Sequence, residues 1–282
     1  MATVTGNLMN PTPIFIDAAT IKSVLPYKSL INHLQTSLSS ATSVIESPIR
    51  HSHPTSSSST LLLMPAWSLS STTLPYIGVK LVTTHPNNSS LNLPGVHASY
   101  VLFHSLTGQT LASMDGTEIT VRRTACVSAL ASHYLSHLNS QVLLMIGAGS
   151  LAPHLIKAHL TTRPSINRVM IWNRTWLKAG AHLDLVGSYK PSMRECDDEA
   201  VKRGRVFVDN EAALVEAGEL VGAFERGVMK KEEIEGDLVE LTKGVKIGRK
   251  DEKEITLFVS VGSAVVDLLS AQLAYETIRV KP

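Results

Sequence analysis

A glycine-rich segment is the clearest candidate for chemistry in this 282-residue sequence. Residues 147–152 read Gly-Ala-Gly-Ser-Leu-Ala and stand directly after the apolar run Val142–Ile146. The first glycine permits a tight turn, the second lets the backbone approach a diphosphate, and the small last residue permits close packing of a helix on a strand. Free N–H groups at the start of that helix favour an anion. The segment therefore predicts a dinucleotide site whose diphosphate is held by Gly147, Gly149, Ser150 and Leu151.

The next predicted strand ends in a polar, cationic triplet, Asn173-Arg174-Thr175. An NAD site usually places an acid there to hold the ribose hydroxyls. Arg174 suits a 2′-phosphate instead, and Asn173 and Thr175 would add hydrogen bonds. The triplet favours NADPH, with NADH as the second choice. The alternative is an ordinary exposed arginine at the end of a strand.

The apolar pattern places these motifs in an α/β chain. In the first half, Asp17 is expected to cap a helix over 18–38 that Pro26 interrupts. Strands are predicted at 14–16, 61–64, 76–83, 100–105 and 110–115, and a helix at 120–138. In the second half, the run 142–146 is expected to be a strand buried on both faces. Further strands are predicted at 168–172, 181–186, 205–208 and 255–261, and helices at 151–160, 211–217, 231–243 and 265–278.

Composition excludes several classes of function. The 26 basic and 24 acidic side chains form no basic block, so nucleic acid is not an expected partner. No apolar run approaches the ~20 residues of a membrane span, so no membrane partner is expected. The two cysteines, Cys126 and Cys196, give neither a disulfide framework nor the spacing of a metal site.

Several segments, in order along nearly the whole chain, resemble the ornithine cyclodeaminase/mu-crystallin family. They are residues 77–80, 114–116, 123–125, 147–152, 172–175, 181–187 and 260–262. Within the family the chain is most similar to plant members implicated in making pipecolate from a cyclic imine. The resemblance implies a Rossmann-like dinucleotide-binding domain at 139–257. It also implies an α+β substrate and dimerisation domain at 1–138, completed by 258–282, and a homodimer in the cytoplasm or the plastid.

The resemblance also implies roles for particular residues. By this resemblance, the substrate would carry an α-carboxylate beside a C=N or C–N bond. Lys80 would pair with that carboxylate and supply a proton to the imine nitrogen, while Arg123 and Arg50 would hold the carboxylate. Thr124 would meet the cofactor phosphates. The residues expected to line the nicotinamide are Val186, Gly187, Val261 and Gly262.

Each role has a simpler alternative. Lys80 stands in an otherwise apolar strand, where a cation is costly unless partnered, but it could also extend from the edge of a strand to water. Arg123 could form a surface salt bridge. Its neighbour Arg122 is expected to be solvated.

One departure from the family pattern bears on the chemistry. True cyclodeaminases carry an aspartate two residues beyond the glycine of Val186-Gly187, and this chain has Ser188 and Tyr189. Without that carboxylate, hydrolytic deamination lacks its general base. The sequence therefore favours reduction of a preformed cyclic ketimine of the piperideine-2-carboxylate type, as in lysine catabolism. Ornithine cyclodeaminase and a non-catalytic, mu-crystallin-like binding protein are the alternatives.

The dinucleotide-binding half is shorter than the family pattern requires. Between Thr175 and Trp176 the chain lacks roughly 40–45 residues, the size of one βαβ unit with its connections. The absent fourth strand normally lies beside the first, so the sheet should open at its centre. If the chain folds, we expect the substrate half to be sound and the affinity for NADPH to be weak or absent.

Overall fold

The computed structural model describes residues 12–41, 44–70, 73–172 and 179–280. Its first half contains three α-helices and seven mostly antiparallel strands within the described residues. These elements are β1 (Ile14–Ile16), α1 (Ala18–Val24), α2 (Tyr27–Ala41), β2 (Ile45–Glu46), β3 (His51–Pro54), β4 (Thr60–Ser68), β5 (Tyr76–Thr84), β6 (Val96–His104), β7 (Thr110–Asp115) and α3 (Gly116–Leu135).

A seven-stranded sheet organises this half in the order β1-β7-β6-β5-β4-β2, with β3 also pairing with β4. Strand β5 is central, and Lys80 lies opposite Met64 of β4 and Tyr100 of β6. Alternate residues of β5 are buried, from Tyr76 through Gly78 and Lys80. Because side chains alternate between the two faces of a strand, this register turns Lys80 into the core.

Local signals set the ends of the helices. Helix α1 ends before Pro26 and α2 begins after it, as the sequence predicts. Helix α3 begins at Gly116, four residues earlier than predicted, because Asp115 accepts a hydrogen bond from the Glu118 N–H at 2.7 Å. A Cβ atom on Gly116 would lie 2.8 Å from the backbone of Ser99, so only glycine allows α3 to start this close to β6.

The second half alternates strands and helices and ends in a long helix. These elements are β8 (Val142–Ile146), α4 (Ala152–Thr162), β9 (Arg168–Trp172), β10 (His182–Leu185), α5 (Asp198–Arg203), β11 (Gly204–Val208), α6 (Ala213–Glu216), α7 (Gly218–Glu225), β12 (Gly236–Asp237), α8 (Leu238–Thr242), β13 (Ile255–Val259) and α9 (Ala264–Val280).

The parallel strands of this half form two separate sheets. One has four strands in the order β10-β13-β11-β12, and the other, in the described part of the chain, consists of β8 and β9. The prediction that 231–243 is one helix is wrong, because Gly236 pairs with Phe207 of β11 and Asp237 then caps the short helix α8.

The prediction that residues 142–146 are buried on both faces is also wrong. Val142 and Ile146 at the ends of β8 are 43% and 53% exposed, and Ile171 of β9 is 57% exposed. A parallel strand is buried when strands pair with both its edges and helices cover both faces of the sheet. Among the described residues, β8 pairs with β9 alone. This arrangement is consistent with the absence of a neighbouring strand from the chain.

Helix α9 returns to the first half of the chain. It contacts α2, α3, β4 and β5, and its buried Leu268 and Leu269 belong to the same apolar cluster as Ile21 and Leu34. The chain therefore leaves the four-stranded sheet at β13 and delivers the first turn of α9 to the core face of β5. None of the helices in the described ranges has the length and apolar character that crossing a membrane requires.

Candidate active site

Lys80 forms a buried ion pair with Asp267. Its Nζ atom lies 2.6 Å from Asp267 Oδ2, and the two residues are 1% and 0% exposed. Asp267 stands in the first turn of α9. Burial and the nearby Arg123 lower the pKa of Lys80 to about 7, against the opposing effect of Asp267. An ammonium with such a pKa can give up its proton near neutral pH.

Arg123, on α3, reaches the same carboxylate. Its Nε atom lies 2.8 Å from Asp267 Oδ1, so each carboxylate oxygen faces one cation. The guanidinium also lies against Gly262, where a Cβ atom would come within 2.9 Å of Nη1. Gly262 has φ +87°, which glycine adopts without strain. Lys80 and Arg123, named from the sequence, are therefore brought together.

Arg50 approaches the same turn from another side. Its Nη2 atom donates to the carbonyls of Val261 at 2.7 Å and Gly262 at 3.1 Å, and lies 2.8 Å from Glu216 Oε2. Burial raises the pKa of Glu216, although Arg50 acts in the opposite direction. Arg50 is the third predicted cation, and it lies near Arg123 because Gly262 contacts both arginines. Arg50 also has its own carboxylate partner, Glu216.

Asp209, which directly follows β11, stabilises the turn at residues 260–262. Its Oδ2 atom accepts hydrogen bonds from Ser260 Oγ at 2.8 Å and from the Gly262 N–H at 2.7 Å. Burial raises the pKa of this carboxyl group. Asp209 and the two arginines therefore hold residues 260–262 in one conformation.

A cavity of about 560 Å³ opens beside the turn. Its polar lining includes Arg50, Asp209 and Gly262, and its apolar lining includes Ile45 and Met64. The volume and the mixed lining suit a small ring compound that carries a carboxylate.

The glycine turn after β8 has room for an anion. Gly147 has φ +93°, and no atom lies within 4 Å of the position of a Cβ on Gly147 or on Gly149. Ser150 is exposed, and Leu151 precedes α4 without a side chain capping the helix. The uncapped N–H groups and the open space in front of the glycines fit a diphosphate.

Contacts between α3 and α4 show where the glycine turn after β8 lies relative to Arg123. Ser132 Oγ lies 3.0 Å from His159 Nδ1, and Arg163 Nε donates to Ser136 Oγ at 3.0 Å; both pairs are 27 residues apart. The helices therefore run in the same direction. Because both rise ~1.5 Å per residue, the same offset places Leu151 level with Thr124, a partly exposed residue next to Arg123.

The two loops predicted to line the nicotinamide follow neighbouring strands. Leu185 of β10 pairs with Val259 of β13, and the Ser260 N–H donates to the Leu185 carbonyl at 2.9 Å. Parallel strands end at the same edge of a sheet, so Val186-Gly187 and Val261-Gly262 lie side by side.

The loop after Gly187 offers no free carboxylate at the position of the cyclodeaminase aspartate. Tyr189 packs against the apolar cluster of the four-stranded sheet. Glu195 reaches this loop, but its Oε2 atom accepts hydrogen bonds from the N–H groups of Gly187 at 2.8 Å and Ser188 at 3.1 Å. This carboxylate is therefore committed to the backbone.

Asn173, Arg174 and Thr175 lie outside the described residues. The prediction that Arg122 is solvated is wrong, because it is buried, lies 2.7 Å from Glu118 Oε1 and donates to the Leu25 carbonyl. Within the described ranges, no group of three or more His, Cys, Asp or Glu side chains is placed to hold a metal ion.

Sequence reasoning missed Asp267, Asp209 and Glu216. An aspartate inside the otherwise apolar stretch 264–269 of the last helix was the available signal for Asp267. Asp209 follows a buried strand, a position where polar residues of parallel sheets often serve a site.

Comparisons with known proteins agree on one family. The model described as "Ornithine cyclodeaminase/mu-crystallin family" matches residues 12–175 and 173–281. Protein SAR DEFICIENT 4 of Arabidopsis thaliana is 50% identical over 321 residues, covering 95% of this chain and 98% of that protein. A Delta(1)-pyrroline-2-carboxylate reductase of Colwellia psychrerythraea is 33% identical, covering 93% and 98%.

Solved structures are similar over almost the full length. The Thermococcus litoralis Delta(1)-pyrroline-2-carboxylate reductase in complex with NADH and L-proline has a TM-score of 0.88 at 27% identity, covering 94% of this chain and 97% of that chain. An archaeal alanine dehydrogenase dimer with bound NAD has a TM-score of 0.84 at 25% identity, covering 95% and 97%.

The same comparisons show a gap inside this chain. The two matches to the family model meet at residues 173–175. The alignment with the Arabidopsis protein spans 321 positions, whereas this chain has 282 residues, so at least 39 positions (321 less 282) have no counterpart here.

Proposed function

The chain belongs to the ornithine cyclodeaminase/mu-crystallin family, and we propose that it is an NAD(P)H-dependent reductase of cyclic ketimines that carry an α-carboxylate. The relatives named pyrroline-2-carboxylate reductase support reduction of a cyclic imine. The substrate we propose is of the piperideine-2-carboxylate type, with pipecolate as the product.

The observation that carries this proposal is the shared carboxylate of Asp267. It holds an ammonium and a guanidinium within 2.6 and 2.8 Å, and Arg123 lies against Gly262, which lines a cavity large enough for a six-membered ring. Arg123 presents a planar group that suits a carboxylate. Lys80 supplies a proton donor whose pKa of about 7 matches neutral conditions.

The residues divide the work of reduction. Arg123 and Arg50 hold the substrate carboxylate and so fix the orientation of the adjacent C=N bond. When bound, the nicotinamide supplies a hydride to the imine carbon. Lys80 donates its proton to the imine nitrogen, the double bond becomes a single bond, and Lys80 is reprotonated from solvent. The product is a cyclic amino acid.

The cofactor would lie along the edge where the strands end. Gly147, Gly149, Ser150 and Leu151 would hold the diphosphate with Thr124, and the paired loops at 186–187 and 261–262 would line the nicotinamide. Asn173, Arg174 and Thr175 would contact a 2′-phosphate. The cationic side chain of Arg174 is the support for NADPH over NADH.

We further propose the division into a substrate and dimerisation domain, 1–138 with 258–282, and a Rossmann-like domain, 139–257. The packing of α9 on β5 supports this division. The archaeal dimer supports a homodimer by similarity. The cytoplasm and the plastid are the compartments we propose, the plastid because of the similarity to a plant protein.

A specific observation favours a second candidate, a non-catalytic binding protein. The β8–β9 pair exposes Val142, Ile146 and Ile171, and among the described strands it has no hydrogen bond to the four-stranded sheet. A sheet divided in this way holds the diphosphate turn less firmly, which would weaken cofactor binding. The substrate pocket, which is lined by residues of both halves but by none of β8 or β9, would persist.

The test is NADPH consumption with piperideine-2-carboxylate. We expect turnover by the full chain, a loss of at least about 100-fold in kcat/KM for Lys80→Met, and no change for Lys28→Met, which removes an exposed lysine. Absence of turnover in a folded dimer would contradict the reductase and support the binding protein. Release of ammonia from ornithine would instead indicate a cyclodeaminase.

A further inference from the structure

We propose that Asp267 is a positioning residue whose two carboxylate oxygens hold the Lys80 ammonium and the Arg123 guanidinium side by side, next to the Gly262 turn that lines the cavity. This inference rests on the proposed function, because it concerns the same site. It assigns to helix α9 the task of holding Lys80 and Arg123 in place and of keeping Lys80 protonated.

The geometry separates Asp267 from an ordinary core ion pair. Its partners come from two different elements, β5 and α3, and each takes a different oxygen. The backbone N–H of Asp267 donates to the Ser263 carbonyl at 3.2 Å, so the carboxylate is fixed to the first helical turn that follows the Gly262 turn. A shift of this turn would move both cations together.

The charges around Lys80 show why a carboxylate is needed. Arg123 acts on Lys80 from α3, and Arg50 acts on it from the segment before β3. Tyr100 of β6 pairs with Lys80 across the sheet, and Asp267 acts on its hydroxyl. Both arginines disfavour a charged ammonium, and burial raises the pKa of Tyr100 far above neutrality, so its hydroxyl brings no charge. Among these groups Asp267 is the one that favours the protonated lysine.

Removal of the charge therefore has a defined consequence. In Asp267→Asn, Lys80 would face two arginines and an amide, and it would lose its proton at lower pH. It would then stand unprotonated at the pH of the reaction. If Asp267 only packed the first turn of α9, its replacement by asparagine would lower the stability of the fold and leave the titration of Lys80 unchanged.

The experiment measures Lys80 directly and needs no turnover. The full chain is labelled with lysine carrying carbon-13 at Cε, the Lys80 signal is assigned from its loss in Lys80→Met, and its titration is followed by NMR. We expect the titration midpoint of Asp267→Asn to fall by at least one pH unit, a tenfold change in proton affinity. Asp267→Glu, which keeps the charge, should titrate close to the wild type. Glu232→Gln, which removes an exposed carboxylate, is the matched control.

The outcomes are distinct. An unchanged Lys80 midpoint in folded Asp267→Asn overturns the inference. Should Asp267→Asn fail to fold, Asp267→Glu still decides: a midpoint displaced as far as one unit from the wild type overturns it, and a retained midpoint supports it. Failure of the wild-type chain to consume NADPH would contradict the proposed reductase function, but the titration of Lys80 could still be measured.

Discussion

The backbone of Gly262 lies against the guanidinium of Arg123, so close that an added Cβ would come within 2.9 Å of Nη1. The same glycine donates its N–H to Asp209 at 2.7 Å and offers its carbonyl to Arg50 at 3.1 Å. The turn at 262 therefore sets the position of both arginines that are proposed to hold the substrate carboxylate.

Gly262→Ala should damage the site beyond the strain it introduces. Gly108 also has positive φ, +70°, but no atom lies within 4 Å of its Cβ position, so Gly108→Ala is a matched control for backbone strain alone. We expect each variant to lose about 1–3 kcal/mol of unfolding free energy. Only Gly262→Ala should also weaken binding of pipecolate, measured by calorimetry. Equal pipecolate affinity in the two variants would contradict the role of Gly262.

The pH dependence of stability should reveal Lys80. Its pKa in the folded chain is about 7, below the ordinary value of 10.5, so between these values the unfolded chain binds more protons. Stability must then rise with pH across this window, and the cost of burying the charged ammonium is fully present below pH 7. The melting temperature of the wild type, relative to that of Lys80→Met, should rise steadily from pH 7 to pH 10. A constant difference between the two proteins would show that the pKa of Lys80 is not lowered.

The sequence predicts some parts of the candidate site and not others. Alternation along β5 predicts that Lys80 shares a face with Tyr76 and Val82, and the glycine motif predicts the turn before α4. The apolar neighbours of Asp267 were a signal, but its role could not be predicted, because an aspartate in the first turn of a helix is also what favourable interaction with the helix dipole produces. Its partner Lys80 lies 187 positions earlier, and no local pattern connects them.

The errors have physical reasons as well. The apolar run 142–146 has the pattern of a strand that is buried on both faces. It is partly exposed because burial depends on neighbouring strands and helices, which come from other parts of the chain. Arg122 was expected in water, but an arginine one position from Arg123 on α3 turns ~100° away and meets Glu118 one turn earlier.

Glu216 should compete with the substrate for Arg50. The two side chains lie 2.8 Å apart and are only 12–13% exposed. Glu216→Gln releases the guanidinium, so we expect KM for the ketimine to fall roughly threefold to tenfold, or ~1 kcal/mol, with kcat little changed. Glu225→Gln, an exposed carboxylate on α7, is the control. A higher KM in Glu216→Gln would mean that Glu216 orients Arg50 for the substrate.

Restoring the segment at the Thr175–Trp176 junction should complete the sheet. The Arabidopsis relative has at least 39 residues that this chain lacks, and the β8–β9 pair exposes apolar side chains. A chimera carrying that relative's segment should unfold at higher temperature, bind less of a hydrophobic dye and bind NADPH more tightly than the present chain. A glycine-serine insert of equal length is the control. Equal NADPH affinity in the chimera and the control would argue against a missing strand as the cause of weak binding.

The most direct test of the reductase is the fate of the hydride. The full chain is incubated with piperideine-2-carboxylate and NADPH deuterated at the transferable position of the nicotinamide, and the product is analysed by mass spectrometry. We predict pipecolate with one deuterium on the carbon next to the carboxylate, formed by the wild type and Lys28→Met but not by Lys80→Met. Folded wild-type protein that binds NADPH and yields no deuterated pipecolate would contradict the account.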